Sequence, residues 1–144
     1  MDKDKVKSLR RSSIIVLLIL LVIGTAQVLM NKSGSITCQV DANNSMLGVL
    51  GAYGDSIFIN LSDIEEVSLV ETLDCGEMVE GKETSQLRSG TYKNSEFGEY
   101  SLHVYIKSAS YIVLHYDGGK VLVFNQSRAK TTEQVYESIL ENMP

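Results

Sequence analysis

With 18 acidic and 13 basic side chains in 144 residues, the chain is sized for one domain and carries a formal charge of −5. Residues 31–144 hold eight Lys/Arg against sixteen Asp/Glu, a net −8. Phosphate contacts need clustered cations, so this acidic part excludes nucleic acid and anionic lipid surfaces as partners.

The chain opens on Lys3, Lys5, Lys7, Arg10 and Arg11, with Asp2 and Asp4 the acids among them. From Ile14 to Ile23 every residue is Ile, Val or Leu, and no charge falls between Arg11 and Lys32. As a helix, about 20 such residues span roughly 30 Å, the thickness of a bilayer core. The basic flank stays inside. The sequence therefore predicts a cytoplasmic basic tail over 1–11, a single transmembrane helix over 12–30 that anchors the chain in the cell membrane, a polar linker over 31–34, and an extracytoplasmic domain over 35–144. The competing reading is a cleaved signal peptide with a cut near Ala26, in Gly24-Thr25-Ala26. Both readings put the domain outside, where a Cys38–Cys75 disulfide is permitted. Two unpaired, half-buried thiols are the alternative.

Beyond the linker the apolar period falls to two. Ile36, Cys38 and Val40 alternate with Thr37 and Gln39, a strand pattern. Asp41-Ala42-Asn43-Asn44 is turn chemistry. Met46 to Ala52 reads as the return strand, with Gly48 and Gly51 as candidate bulges. Tyr53-Gly54-Asp55 turns the chain again. Ser56 to Asn60 is a short strand and Ile64 to Glu71 the next, with Glu65 and Glu66 toward solvent. Residues 72–90 lose the period and read as a long acidic loop, the kind of segment that serves function. Asp74, Glu77, Glu80 and Glu83, with Tyr92 and Phe97 nearby, form the candidate interaction surface.

Alternation returns from Thr91. Leu102, Val104 and Ile106 share one face. Tyr111 to Tyr116 is a strand, Asp117-Gly118-Gly119 a hairpin turn, and Val121 to Asn125 the strand that pairs back. Thr131-Thr132-Glu133-Gln134 fits a capping box with Thr131 as the cap. Val135, Ile139 and Met143 recur every four residues, giving an amphipathic helix. The fold class is mainly β: a barrel or sandwich of about seven or eight antiparallel strands, closed by one C-terminal helix.

Chemistry-bearing motifs are scarce. The histidines, His103 and His115, each fall inside a predicted strand, away from any Cys or His at metal-ligand spacing. No Gly-rich phosphate loop opens a helix. No catalytic residue, metal or cofactor is expected. The alternative is a small envelope hydrolase using His103 or His115.

Several segments carry a likeness. They are Tyr53-Gly54-Asp55 before Ile57, Asp63-Ile64 before Val67 and Leu69, and Arg88-Ser89-Gly90-Thr91-Tyr92. Gly98 before Leu102 and Val104-Tyr105, Tyr111-Ile112-Val113, Asp117-Gly118, Val123-Phe124-Asn125, and Thr132-Glu133 before Val135-Tyr136 follow. Together, over about residues 53–142, they resemble bacterial domains of the pleckstrin-homology (PH) superfold that lie behind N-terminal membrane helices. The resemblance implies two bent antiparallel sheets with a helix plugging one corner, and no established activity. PH domains that bind inositol phosphates carry a basic loop between their first two strands. Here that loop is Asp41 to Ser45, without Lys or Arg, so no phosphoinositide is expected. The function expected is a non-catalytic interaction module for another protein or an envelope component.

Overall fold

The computed structural model describes residues 34–144; the tail, the membrane helix and nearly all of the linker expected in 1–33 lie outside the described residues. Among the described residues no helix is long and apolar enough to cross a membrane. These residues form nine strands in two sheets and one C-terminal helix.

Strands β1 (Thr37–Asp41), β2 (Met46–Leu50) and β3 (Ser56–Asn60) make a three-stranded antiparallel sheet. The Asp41 carboxylate closes the first hairpin by accepting the N–H groups of Asn43 and Asn44. The β2–β3 register runs without a shift, so Gly48 is not a bulge. It makes room for a neighbour instead: a Cβ there would sit 3.2 Å from the ring of Phe58, its partner on β3.

A second sheet holds β4 (Ile64–Val70), β5 (Glu77–Glu83), β6 (Leu87–Asn94), β7 (Gly98–Tyr105), β8 (Tyr111–Tyr116) and β9 (Lys120–Phe124), in the order β4-β8-β9-β7-β6-β5. Two features differ from the expected all-antiparallel strands and 72–90 loop. The first is that the strands are not all antiparallel. The β8–β9 hairpin folds β9 in between β8 and β7, so β7 and β9 run parallel over Ser101↔Leu122 to His103↔Phe124. The second is that much of the expected loop over 72–90 is the β5–β6 hairpin, turned at Thr84, whose hydroxyl accepts the N–H groups of Gln86 and Leu87. All seven residues of β5 are exposed, so no burial imposes an alternating pattern on its sequence. The turn after β8 is as expected, with Asp117, Gly118 and Gly119 all at positive φ. Gly118 N–H donates to the Glu65 carboxylate at 2.7 Å, which ties that turn to β4.

The six-stranded sheet buries apolar side chains on both faces. Ile112, Leu114, Leu122 and Phe124 pack with Leu47, Val49 and Ile59 of the other sheet. Leu102, Val104, Val113, Val121 and Val123 form a second cluster with Tyr92 and Tyr100, against which Leu73 and Cys75 pack. The helix α1 (Ala129–Asn142) buries Ile139 completely in the first cluster, with Val135, Tyr136 and Met143 around it. It meets β1, β4 and β8, and so closes the corner between the two sheets. Its start differs from the expected capping box. Arg128 is the N-cap, without a side-chain cap bond, and Thr131 lies inside the helix. Thr132 is fully buried; its hydroxyl accepts Gln126 N–H at 2.9 Å and donates to Arg128 C=O at 3.2 Å. It holds the approach to the helix rather than capping it.

Candidate interaction groove at a free strand edge

A sheet edge presents unpaired backbone groups and is a template for another strand unless it is covered, bent or charged. The two sheets have four edges: β1, β3, β4 and β5. Helix α1 packs on β1 and β4. Ahead of β1, Ile36 is also tied: its N–H donates to the Tyr105 hydroxyl at 3.0 Å, and its C=O accepts from Gln126 Nε2 at 3.4 Å. Strand β5 carries a register shift between Met78 and Glu80, and four of its seven residues are charged. Among the described residues, strand β3 has none of these protections. Its sequence, Ser-Ile-Phe-Ile-Asn, has no charge and no proline, its register has no shift, and Phe58 is 64% exposed.

The hydrogen bonds at either end of β3 set its phase. Gly51 N–H donates to Asp55 C=O at 2.7 Å, and Leu61 N–H donates to Ser45 C=O at 2.9 Å. Both bonds run to the β2 side. Strand alternation then directs the backbone groups of residues 55, 57, 59 and 61 at β2 and those of Ser56, Phe58 and Asn60 away from it. Among the described residues, β3 pairs with β2 alone. The N–H groups of Ser56, Phe58 and Asn60 and the C=O groups of Ser56 and Phe58 therefore face outward along one edge, while the Asn60 C=O caps the 3-10 turn Leu61–Asp63.

Two hollows lie along that edge. One, of about 510 Å³, is lined by Asp55, Ser56, Ile57, Glu80, Lys82 and His103. The other, of about 360 Å³, is lined by Ser56, Ile57, Phe58, Asn60, Tyr116 and Lys120. Ser56 and Ile57 belong to both, so the hollows adjoin. Asp55 and Glu80 bring negative charge to the first. Its cation, Lys82, is held with Nζ 4.6 Å from the centre of the Tyr53 ring. Asp63 and Asp117 also line the second, where Lys120 Nζ lies 2.6 Å from Asp117. That bond raises the Lys120 pKa.

The first hollow ends on a buried polar pair. Ser89 and His103 are cross-strand neighbours on β6 and β7, with Ser89 Oγ 2.7 Å from His103 Nδ1 and 3.3 Å from Ala52 C=O. Both residues are at most 2% exposed. Burial lowers the His103 pKa, against the smaller opposing effect of the Asp55 charge, so the ring is neutral near pH 7. The pair accounts for Gly51, where a Cβ would lie 2.5 Å from His103 Nδ1. A serine so enclosed is badly placed to attack an incoming substrate, and among the described residues no carboxylate hydrogen-bonds to His103 to orient it.

The residues expected to form one acidic surface are dispersed. Glu80 lines the first hollow. Glu77 pairs with Lys93 across the β5–β6 ladder. The Glu83 carboxylate accepts the Tyr92 hydroxyl at 2.8 Å and lies 3.5 Å from Arg88 Nε. Tyr92 itself is a core residue, 1% exposed; burial, then the Glu83 bond, pushes its hydroxyl pKa up. Asp74 accepts Gly76 N–H and, with Phe97 and His115, lines a separate hollow of about 570 Å³. There the Phe97 ring meets Tyr100 and His115 edge-on. Cys38 and Cys75 are free thiols packed against different core clusters. Burial pushes the Cys38 thiol up to about 12, against the lowering effect of the Gln126 Nε2 bond to its sulfur. Among the described residues no group of three or more His, Cys, Asp or Glu side chains is placed to hold a metal ion. The groove escaped sequence reading because main-chain groups define it. The one available signal was an uncharged five-residue strand between two turns.

No protein-family model, curated protein or solved structure matches the chain.

Proposed function

We propose that the chain is a single-pass membrane protein, N-terminus cytoplasmic, whose outer PH-like domain is a non-catalytic protein-interaction module. The module takes an extended segment of its partner as an added strand on β3. One observation carries this reading: among the described residues β3 is the edge left without helix, bulge or charge, and it borders two adjoining hollows. Main-chain hydrogen bonds to Ser56, Phe58 and Asn60 supply affinity, and the hollows select alternate side chains. Two sheets cornered by a C-terminal helix support the PH-like assignment; the parallel β7–β9 pair departs from that superfold's antiparallel sheets. The basic residues before Ser12 and the apolar run after it support the anchor.

The test is selection of binders from a random dodecapeptide library displayed on phage, panned on the full chain in neutral detergent. Proline removes an N–H without breaking the β2 ladder at positions whose N–H points outward. Selected peptides should lose binding to the Ser56→Pro and Phe58→Pro chains. A library that yields no binder, or binders indifferent to both substitutions, contradicts strand addition at β3.

A further inference from the structure

The geometry points to a basic extended segment as the occupant of the β3 edge, with a Lys or Arg side chain entering the hollow between Asp55 and Glu80. This rests on the docking reading above and adds the chemistry of the partner.

Charge decides among possible occupants. A strand laid on β3 sends every second side chain to the same face. At the Asp55 end that side chain meets two carboxylates, from Asp55 and from Glu80 of β5. The cation in that hollow, Lys82, already sits over the Tyr53 ring. The floor adds no positive charge, because burial keeps His103 neutral beside Ser89. At the other end Asp63 and Asp117 face Lys120, which is engaged with Asp117. The groove is acidic at both ends and uncharged along the strand between them.

A second copy of the chain fits this edge poorly. Antiparallel pairing of two β3 strands about Phe58 sets Asp55 of one copy two positions from Asp63 of the other. It also brings together two domains that each carry net −8 beyond residue 30. An acidic segment meets the same repulsion. A basic segment gains attraction at both ends, and complementary charge speeds its encounter and suppresses wrong partners.

The experiment uses the full chain in neutral detergent and three blocked nonapeptides that alternate threonine with lysine, glutamine or glutamate. Each carries an uncharged fluorophore, and binding is read by anisotropy. The lysine peptide is expected to bind at least about tenfold more tightly than the glutamate peptide, with the glutamine peptide between them. Raising the salt concentration should narrow the gap. The Asp55→Asn/Glu80→Gln chain should lose about tenfold affinity for the lysine peptide and keep its affinity for the glutamine peptide. N-methylation of alternate backbone nitrogens of the lysine peptide should abolish binding, a test that needs no altered protein.

Equal affinity for all three peptides, lost on backbone N-methylation, overturns the basic partner while leaving strand addition in place. Binding that survives N-methylation and both proline substitutions, or no binding by any peptide, overturns strand addition as well. Sedimentation that shows a dimer dispersed by Phe58→Pro assigns the edge to a second copy and overturns the proposal.

Discussion

Helix α1 buries Ile139 fully in the core cluster that includes Ile64, Ile112 and Leu114. Truncation by Ile139→Ala removes three carbons from that cluster. At about 0.8 kcal/mol per buried carbon the transfer loss alone is roughly 2.4 kcal/mol. The residual cavity raises the cost toward about 3–4 kcal/mol, within the range for buried aliphatic truncations. A domain of this size is stable by only about 5–15 kcal/mol, so the loss is a large share of the total. Leu140, one residue on, is 47% exposed and serves as the control. Leu140→Ala should cost less than about 1 kcal/mol. The assay is a pair of urea melts followed by far-ultraviolet circular dichroism on the full chain in neutral detergent. A lower midpoint at unchanged slope for Ile139→Ala, with Leu140→Ala near wild type, fits a docked helix. Equal, small shifts for both would mean that α1 does not close the corner between β1 and β4.

Three further outcomes are expected. Burial lowers the His103 pKa below the unfolded value of 6.5, so between the two pKa values the unfolded chain binds more protons. Stability from this group is complete above pH 6.5 and is lost as pH falls through the folded pKa. His103→Gln should flatten that part of the melting-temperature profile between pH 7.5 and 5; an unchanged wild-type-minus-variant difference across the range would refute the assignment. Thiol titration of the unreduced chain in denaturant should count two thiols, while Cys38, with its pKa pushed up to about 12, resists alkylation in the native chain at pH 8; zero thiols would contradict the structure. On the proposed topology, protease added to intact cells should digest residues 34–144, and their protection until lysis would reverse it.

The parts of the fold legible in the sequence are those where local chemistry and burial agree. Asp41 with Asn43 and Asn44, and Asp117 with its two glycines, mark their turns because side-chain acceptors and left-handed backbone are needed there. The four-residue spacing of Val135, Ile139 and Met143 marks the helix because one face is buried. Strand β5 was illegible because neither of its faces is buried, and a strand without a buried face writes no period. The parallel β7–β9 pair was illegible because insertion of a hairpin between two strands is a tertiary choice. The Ser89–His103 pair was hidden in the same way, as two polar residues in separate strands joined only by register. The β3 groove left only a negative mark, a strand without charge, because the groups it offers belong to the main chain.

Amide hydrogen exchange along β3 tests the free edge most directly. Ile57 and Ile59, bonded toward β2, should exchange slowly, while Ser56, Phe58 and Asn60 exchange fast despite lying in the same strand. Adding the alternating threonine–lysine nonapeptide should slow those three and leave Ile57 and Ile59 as they were. Uniform protection of all five residues without peptide, or unchanged exchange at Ser56, Phe58 and Asn60 with the peptide bound, would contradict strand addition at this edge.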